Sequence, residues 1–110
     1  KDYELMLAGW GADYNDPMTF LDMWMTKSGQ NNTNWGSPAY DKLITDAKAE
    51  NDPAKRMDML GNAEKILMDE AVIVPTFYRM KMALKKPHIE GVVINPFSPV
   101  VSFNFADIKK

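Results

Sequence analysis

The sequence predicts an α/β fold class, with helices in the middle of the chain and short strands towards both ends. Apolar residues recur at helical spacing over residues 38–69, behind Ser-Pro and Asp-Pro helix starts. Residues 3–10 alternate weakly between β-favouring and other residues, and β-branched and aromatic residues recur over residues 72–94. At 110 residues, the chain can bury an ordinary core as one domain or less.

The first elements predicted are a strand, a glycine-rich turn and a helix. Residues 3–10 fit a short buried strand that ends at Gly9-Trp10-Gly11. Asp16 can accept hydrogen bonds from free backbone N–H groups, and Pro17 suits a first helical position. We therefore predict a helix that begins there and ends near residues 28–29.

Two further helices are predicted to form an αα-hairpin. One begins at Ser37-Pro38 and the other at Asp52-Pro53, running to about Asp69. The short link between them favours close packing side by side. Gly61 lies inside the second helix, where glycine costs about 1 kcal/mol relative to alanine. We expect this glycine to permit close helix packing.

Strands are predicted after the hairpin. Apart from Pro75, which breaks the run, residues 72–78 are β-branched or aromatic. The apolar Met80, Met82 and Leu84 then alternate with Lys81 and Lys85. A turn at Lys86-Pro87 precedes a third short strand over residues 92–94, closed by Asn95-Pro96. Residues 97–108 carry no pattern that assigns them.

Composition excludes several classes of function. The chain has no cysteine and one histidine, so neither a thiolate zinc site nor a multi-histidine metal centre is expected. Thirteen basic and fifteen acidic residues leave no basic stripe for nucleic acid. No apolar run approaches the roughly 20 residues that span a bilayer. Because no nucleophile is paired with a base, we expect no enzyme and no cofactor.

The candidate binding residues lie in the first turn: Gly9, Trp10, Gly11 and Asp13. Glycines on either side of a tryptophan allow another backbone to approach closely, beside a large aromatic ring. The Asp13 carboxylate could hold an ammonium group. Together these groups predict a dock for an extended peptide. From the residues alone the alternative stays open that Trp10 is a core residue and Asp13 caps a turn.

Four motifs follow one another over nearly the whole chain. They are GWGADYNDP at 9–17, a W-x-SPAYD-like element at 35–41, the helix from DPAKR to A-E-x-x-L-M-D at 52–69, and VIVPTFY at 72–78. In this order and spacing the sequence resembles the C-terminal portion of the peptide-binding proteins of ABC importers, the oligopeptide and dipeptide solute-binding family.

The resemblance implies a fragment of a two-lobed, hinge-closing receptor of the periplasmic-binding-protein type (type II, cluster C). Residues 1–71 would belong to the C-terminal ligand-closing lobe, and residues 72–110 would form the crossover strand and tail returning to the first lobe. In this family the segment matching Gly9–Gly11 pairs with the peptide main chain, and the aspartate matching Asp13 binds its α-ammonium group. Members often have cysteine where this chain has Gly11. Some have an arginine before the motif, where Leu7 and Ala8 stand here.

The resemblance also implies partners and a location. The expected ligand is an oligopeptide, delivered to ABC permease subunits in the membrane, and no nucleic acid is involved. The expected location is extracytoplasmic, either in the periplasm or lipid-anchored on the outer face of the cytoplasmic membrane. Because a fragment would leave apolar side chains without partners, we expect that it can self-associate. Two alternatives remain: the same scaffold binding a sugar or nickel complex, and a stand-alone helical protein-interaction domain.

Overall fold

The computed structural model describes residues 2–80, 82–95 and 100–109. The chain divides into two compact units, residues 1–75 and 76–110, each with its own architecture. The first unit holds the helices and the second holds the strands. The assignment of residues 1–71 and 72–110 to two lobes stays a prediction.

The first unit is built around the predicted αα-hairpin, which is confirmed. Helix α1 covers Met18–Leu21 and continues into a 3₁₀ turn at Asp22–Trp24, and the hairpin helices are α2, Pro38–Ala49, and α3, Pro53–Asp69. The Ser37 hydroxyl accepts from the Tyr40 N–H at 3.4 Å, as an N-cap. Asp52 likewise accepts from the N–H groups of residues 54 and 55, at 2.9 and 3.3 Å. Both helices therefore begin where the sequence predicted.

The core of this unit joins α1 to the hairpin. Its members are buried apolar side chains from all three helices: Met18, Leu21, Tyr40, Ile44, Ala47, Leu60, Ala63 and Leu67. Fully burying one such leucine contributes roughly 1.5–3 kcal/mol. The Tyr40 hydroxyl donates to the Leu21 carbonyl oxygen at 2.6 Å inside this core. Burial, with the charges of Asp22 and Asp41, raises the pKa of that hydroxyl.

The first helix is shorter than predicted. Helical structure ends at Trp24 rather than near residues 28–29. The buried Asn31 explains the difference, because its side-chain amide donates to the carbonyls of Trp24, Met25 and Trp35 at 2.9–3.3 Å. These bonds satisfy the carbonyls in a loop instead of in further helical turns. Phe20 in α1 is 44% exposed.

Two predicted strand regions are wrong. Neither residues 3–10 nor the described parts of 72–86 form a strand. A strand is stable only when a neighbour completes its hydrogen-bond ladder, and no such neighbour lies beside these segments among the described residues. Their side chains are correspondingly open, with Leu7 86% and Leu84 103% exposed. A strand-like composition is therefore not sufficient: among the described residues these segments lack the pairing that makes a strand.

The second unit contains two short antiparallel ladders. Strand β1, Ile89–Glu90, pairs with β4, Asp107–Ile108, and β2, Val93–Ile94, pairs with β3, Val101–Ser102. The third predicted strand is thus confirmed, as is the turn before it, where the Ile89 N–H donates to the residue 86 carbonyl at 3.0 Å. Its predicted close at Asn95-Pro96 lies partly outside the described residues. The unassigned C-terminal stretch supplies β3 and β4.

Gly91 separates β1 from β2 and needs to be glycine. Its φ is +69°, and a Cβ there would lie 1.7 Å from the Phe105 carbonyl oxygen. Such a distance is far inside van der Waals contact, so the backbone of the opposite chain segment occupies the space of a side chain. This close approach interrupts the ladder between the two strand pairs.

The expected role of Gly61 in helix packing is wrong. The residue is exposed in α3, and apart from its chain neighbours and the nearby backbone of α3 no atom lies within 4 Å of the position that a Cβ would take. Because alanine has a helix propensity about 1 kcal/mol better than glycine, Gly61→Ala should raise the free energy of unfolding by up to about 1 kcal/mol. Urea denaturation followed by circular dichroism measures this. Gly29→Ala, in an open turn outside any helix, is the control and should change stability less.

Ala71 ends α3 in a conformation that favours glycine. Its φ is +50°. The Val72 N–H donates to the Leu67 carbonyl oxygen at 3.0 Å, and the Ala71 N–H donates to the Met68 carbonyl oxygen at 3.1 Å, as in a Schellman motif. Since an alanine in the left-handed region is strained, Ala71→Gly should stabilise the chain by up to about 1 kcal/mol. The same denaturation experiment tests this. A stability loss with Ala71→Gly would contradict the strain at this position.

Candidate functional site

The predicted binding residues lie in an open segment before α1. Gly9 and Gly11 are both exposed, and apart from its chain neighbours no atom lies within 4 Å of a Cβ built on Gly11. Within the described residues, the backbone groups of these two glycines make no hydrogen bond. Their N–H and C=O groups are therefore free to pair with an incoming main chain.

Trp10 is partly exposed and is held by its polar edge. Its indole Nε1 donates to the Thr19 carbonyl oxygen at 2.9 Å, and 41% of its surface is exposed. Trp10 is therefore not the fully buried core residue of the alternative interpretation. Because the indole N–H is already engaged, the ring can offer its face to a ligand but not its donor.

Asp13 lies in the same segment with its side chain exposed to solvent. Its backbone N–H donates to the Thr19 hydroxyl at 3.2 Å. The aspartate that stabilises the turn before α1 is Asp16, whose Oδ1 accepts from the Met18 N–H at 2.8 Å, while Pro17 occupies the N-cap position. The turn-capping role considered for Asp13 therefore belongs to Asp16, and the Asp13 carboxylate accepts no hydrogen bond within the described residues.

An ion pair joins this segment to α3. The Arg56 guanidinium donates two hydrogen bonds to Asp16, Nη1 to Oδ2 at 2.7 Å and Nη2 to Oδ1 at 2.9 Å. Their side chains are 25% and 28% exposed. This two-point contact lowers the pKa of Asp16 below its ordinary value of 3.8 and raises that of Arg56. The pair fixes the start of α1 against the first turn of α3.

The surroundings of Tyr14 carry negative charge. Partial burial raises the pKa of its hydroxyl, and so do the charges of three aspartates, Asp22, Asp16 and Asp13. Asp16 is neutralised by the ion pair described above, and Asp22 lies 3.3 Å from the Lys48 ammonium. No ion pair to Asp13 is found among residues 2–80, 82–95 and 100–109. Asp13 is thus the carboxylate of this group that stays available to a cationic ligand.

Two residues of this site were not identified from the sequence. Thr19 is hydrogen-bonded to both Trp10 and Asp13. Arg56 is hydrogen-bonded to Asp16, which lies 40 positions earlier in the sequence. Neither carries a local signal, because a threonine in a short helix and an arginine on a helix surface are commonplace. The DPAKR motif contains Arg56 but gives no indication of its partner.

Comparison with known proteins shows which proteins this chain is similar to. It is 34% identical over 95 residues to the oligopeptide-binding protein OppA of Bacillus subtilis, covering 86% of this chain and 17% of that protein. It is 37% identical over 89 residues to the periplasmic oligopeptide-binding protein OppA of Salmonella typhimurium, covering 81% and 16%. No family model matches the chain.

A solved structure agrees with these relatives. The substrate-binding domain of an oligopeptide ABC transporter from Bacillus anthracis superposes with a TM-score of 0.81 at 37% identity, covering 94% of this chain and 20% of that one. The resemblance to peptide-binding proteins is confirmed. The chain spans about a fifth or less of the length of these proteins. The α/β fold class is confirmed by the same similarity.

The comparisons also bear on the alternatives. These relatives are named as binding proteins and not as enzymes. They are named for oligopeptides, so the comparisons do not favour a sugar or nickel complex on the same scaffold, or a stand-alone helical interaction domain. In the described part of the chain, no helix is long and apolar enough to cross a membrane.

The Asp16–Arg56 pair predicts a pH dependence of stability. Because the pKa of folded Asp16 is lowered, its contribution is present above the unfolded pKa and is lost as pH falls through the folded pKa. Wild type should therefore exceed Asp16→Asn in melting temperature at neutral pH, and this excess should shrink as pH falls below about 4. Thermal melts at a series of pH values measure it. An excess that stays constant down to pH 2 would contradict the prediction.

Proposed function

We propose that this chain forms part of the solute receptor of an ABC importer and binds the N-terminal end of an oligopeptide. The observation that carries the proposal is the similarity to oligopeptide-binding proteins, at 34–37% identity over more than four fifths of the chain. Since the chain spans only a small part of those proteins, we propose that it likewise acts within a longer receptor.

The Asp13 carboxylate is proposed to bind the peptide's α-ammonium group. Its exposure, and the absence of an ion pair to it within the described residues, support this role. A charge-assisted hydrogen bond to an ammonium group is roughly twice as strong as a neutral one. Closure of the receptor around the peptide would exclude water and strengthen this contact further, because a lower dielectric increases charge attraction.

The main chain at Gly9–Gly11 is proposed to pair with the peptide backbone. Open backbone groups at these glycines and the exposed ring of Trp10 support such a dock. Main-chain pairing does not depend on ligand side chains, so the receptor would accept many sequences. The ring of Trp10 would form an apolar wall beside the first residues of the peptide.

The same proposal sets the partners and the location. The receptor would deliver its peptide to the permease subunits of the importer, and it would act outside the cytoplasm. The name of the Salmonella relative, a periplasmic protein, supports this location. Lipid anchoring on the outer face of the cytoplasmic membrane is an equally suitable arrangement for a receptor that works beside a permease.

The role of Asp13 can be tested with Asp13→Asn in the full-length receptor. A pool of tetrapeptides with free amines and the same pool N-acetylated are titrated by calorimetry. Loss of a charge-assisted bond should weaken binding of the free-amine pool about 10- to 100-fold and leave the acetylated pool nearly unchanged.

Asp58→Asn is the matched control, because Asp58 is an exposed aspartate on α3 with no ion pair among the described residues. Asp58→Asn removes the same charge at a position away from residues 9–13, so it should change the affinity for neither peptide pool. Equal losses for the two peptide pools with Asp13→Asn would overturn the proposed role of Asp13. Failure of the unchanged receptor to bind either pool would overturn the proposed function itself.

A further inference from the structure

We infer that Thr19 is a positioning residue for peptide capture, holding Trp10 and Asp13 in one fixed arrangement. The inference rests on the proposed function and adds a residue to the same site. Thr19 does not touch the ligand in this arrangement, because it is 3% exposed. Its effect on binding would pass through the two residues that it holds.

Thr19 makes a different bond to each of the two binding residues. Its carbonyl oxygen accepts from the Trp10 indole at 2.9 Å, and its hydroxyl accepts from the Asp13 N–H at 3.2 Å. Both acceptors belong to one buried residue, so their separation is fixed by covalent geometry and by the surrounding helix. The ring of Trp10 and the backbone of Asp13 are therefore held in a fixed position relative to each other.

These two hydrogen bonds attach residues 9–13, an otherwise open segment, to the folded part of the first unit. Within the described residues, no other hydrogen bond joins residues 9–13 to the folded part of the first unit. Residues 9–12 have no helix or strand to hold them in place. Without the Thr19 hydroxyl, the backbone at Asp13 would lose its fixed position, and the carboxylate would sample more orientations.

Thr19 is itself well fixed. It lies in α1 between the buried Met18 and the partly exposed Phe20, and its own N–H donates to the Asp16 carbonyl at 3.2 Å. Asp16 is in turn held by the two bonds from Arg56. The binding residues are thus connected to the helical hairpin through a continuous set of short contacts, with Thr19 as the last member before the site.

The substitution that tests this is Thr19→Val, which keeps the shape of the side chain and removes the hydroxyl. The carbonyl bond to Trp10 is retained, so the change acts on the Asp13 N–H. Thr19→Ser restores the hydroxyl and is the rescue variant. Thr45→Val is the matched control, because it removes an exposed threonine hydroxyl on α2 that donates to the Asp41 carbonyl at 2.7 Å.

All variants are titrated in the full-length receptor with the free-amine and N-acetylated tetrapeptide pools. Because Thr19→Val removes one hydrogen bond, it should weaken binding of the free-amine pool about three- to tenfold, and binding of the acetylated pool by less. Thr19→Ser should bind both pools within about twofold of wild type, and Thr45→Val should equal wild type. A merely structural role would weaken both pools equally.

The outcomes separate this inference from the proposed function. Equal losses for the two pools in Thr19→Val, or no rescue by Thr19→Ser, would overturn the positioning role while Asp13→Asn still discriminates between the pools. If Asp13→Asn fails to discriminate, the proposed role of Asp13 falls first. Should Thr19→Val not fold, hydrogen exchange at the Asp13 amide of the unchanged protein decides: protection supports the bond, and exchange at the rate of an unfolded peptide overturns it.

Discussion

The packing of the short helix α1 onto the αα-hairpin is the contact on which the first unit depends. A helix of four residues has almost no stability of its own, because the cost of nucleation is not recovered over one turn. Met18 and Leu21 supply that stability by entering the core. The Tyr40 hydroxyl meets the carbonyl of Leu21 there, which removes the penalty of burying both polar groups.

The packing of α1 also holds residues 9–13, which contain the proposed binding residues, in place. Residues before α1 have no regular structure. Trp10 and Asp13 are held by their bonds to Thr19, and the Asp16 carboxylate accepts from the Met18 N–H. Such an arrangement leaves main-chain groups open for a ligand while fixing the ring and carboxylate beside them. Binding sites are commonly built in this way, on loops held by a rigid scaffold.

Polar groups at the edges of the core fix the loops that apolar packing leaves undetermined. The Asp16–Arg56 pair connects the start of α1 to α3. The indole N–H of Trp35 likewise donates to the Glu70 carboxylate oxygen Oε2 at 2.7 Å. The Trp35 ring packs edge-on against the ring of Tyr40, with centroids 5.2 Å apart. Trp35 thus joins the loop before α2 to the end of α3.

The sequence by itself determined the helical hairpin, because caps and apolar spacing are local features: Ser37 and Asp52 mark the helix starts, and Ala47 and Leu67 lie on the buried faces. It also carried the resemblance to peptide-binding proteins in its motifs. The tertiary structure decided what depends on distant partners. Whether a β-forming segment becomes a strand requires a neighbour, and whether an aspartate is paired or free requires knowledge of which arginine or lysine lies beside it, a fact that no local pattern contains.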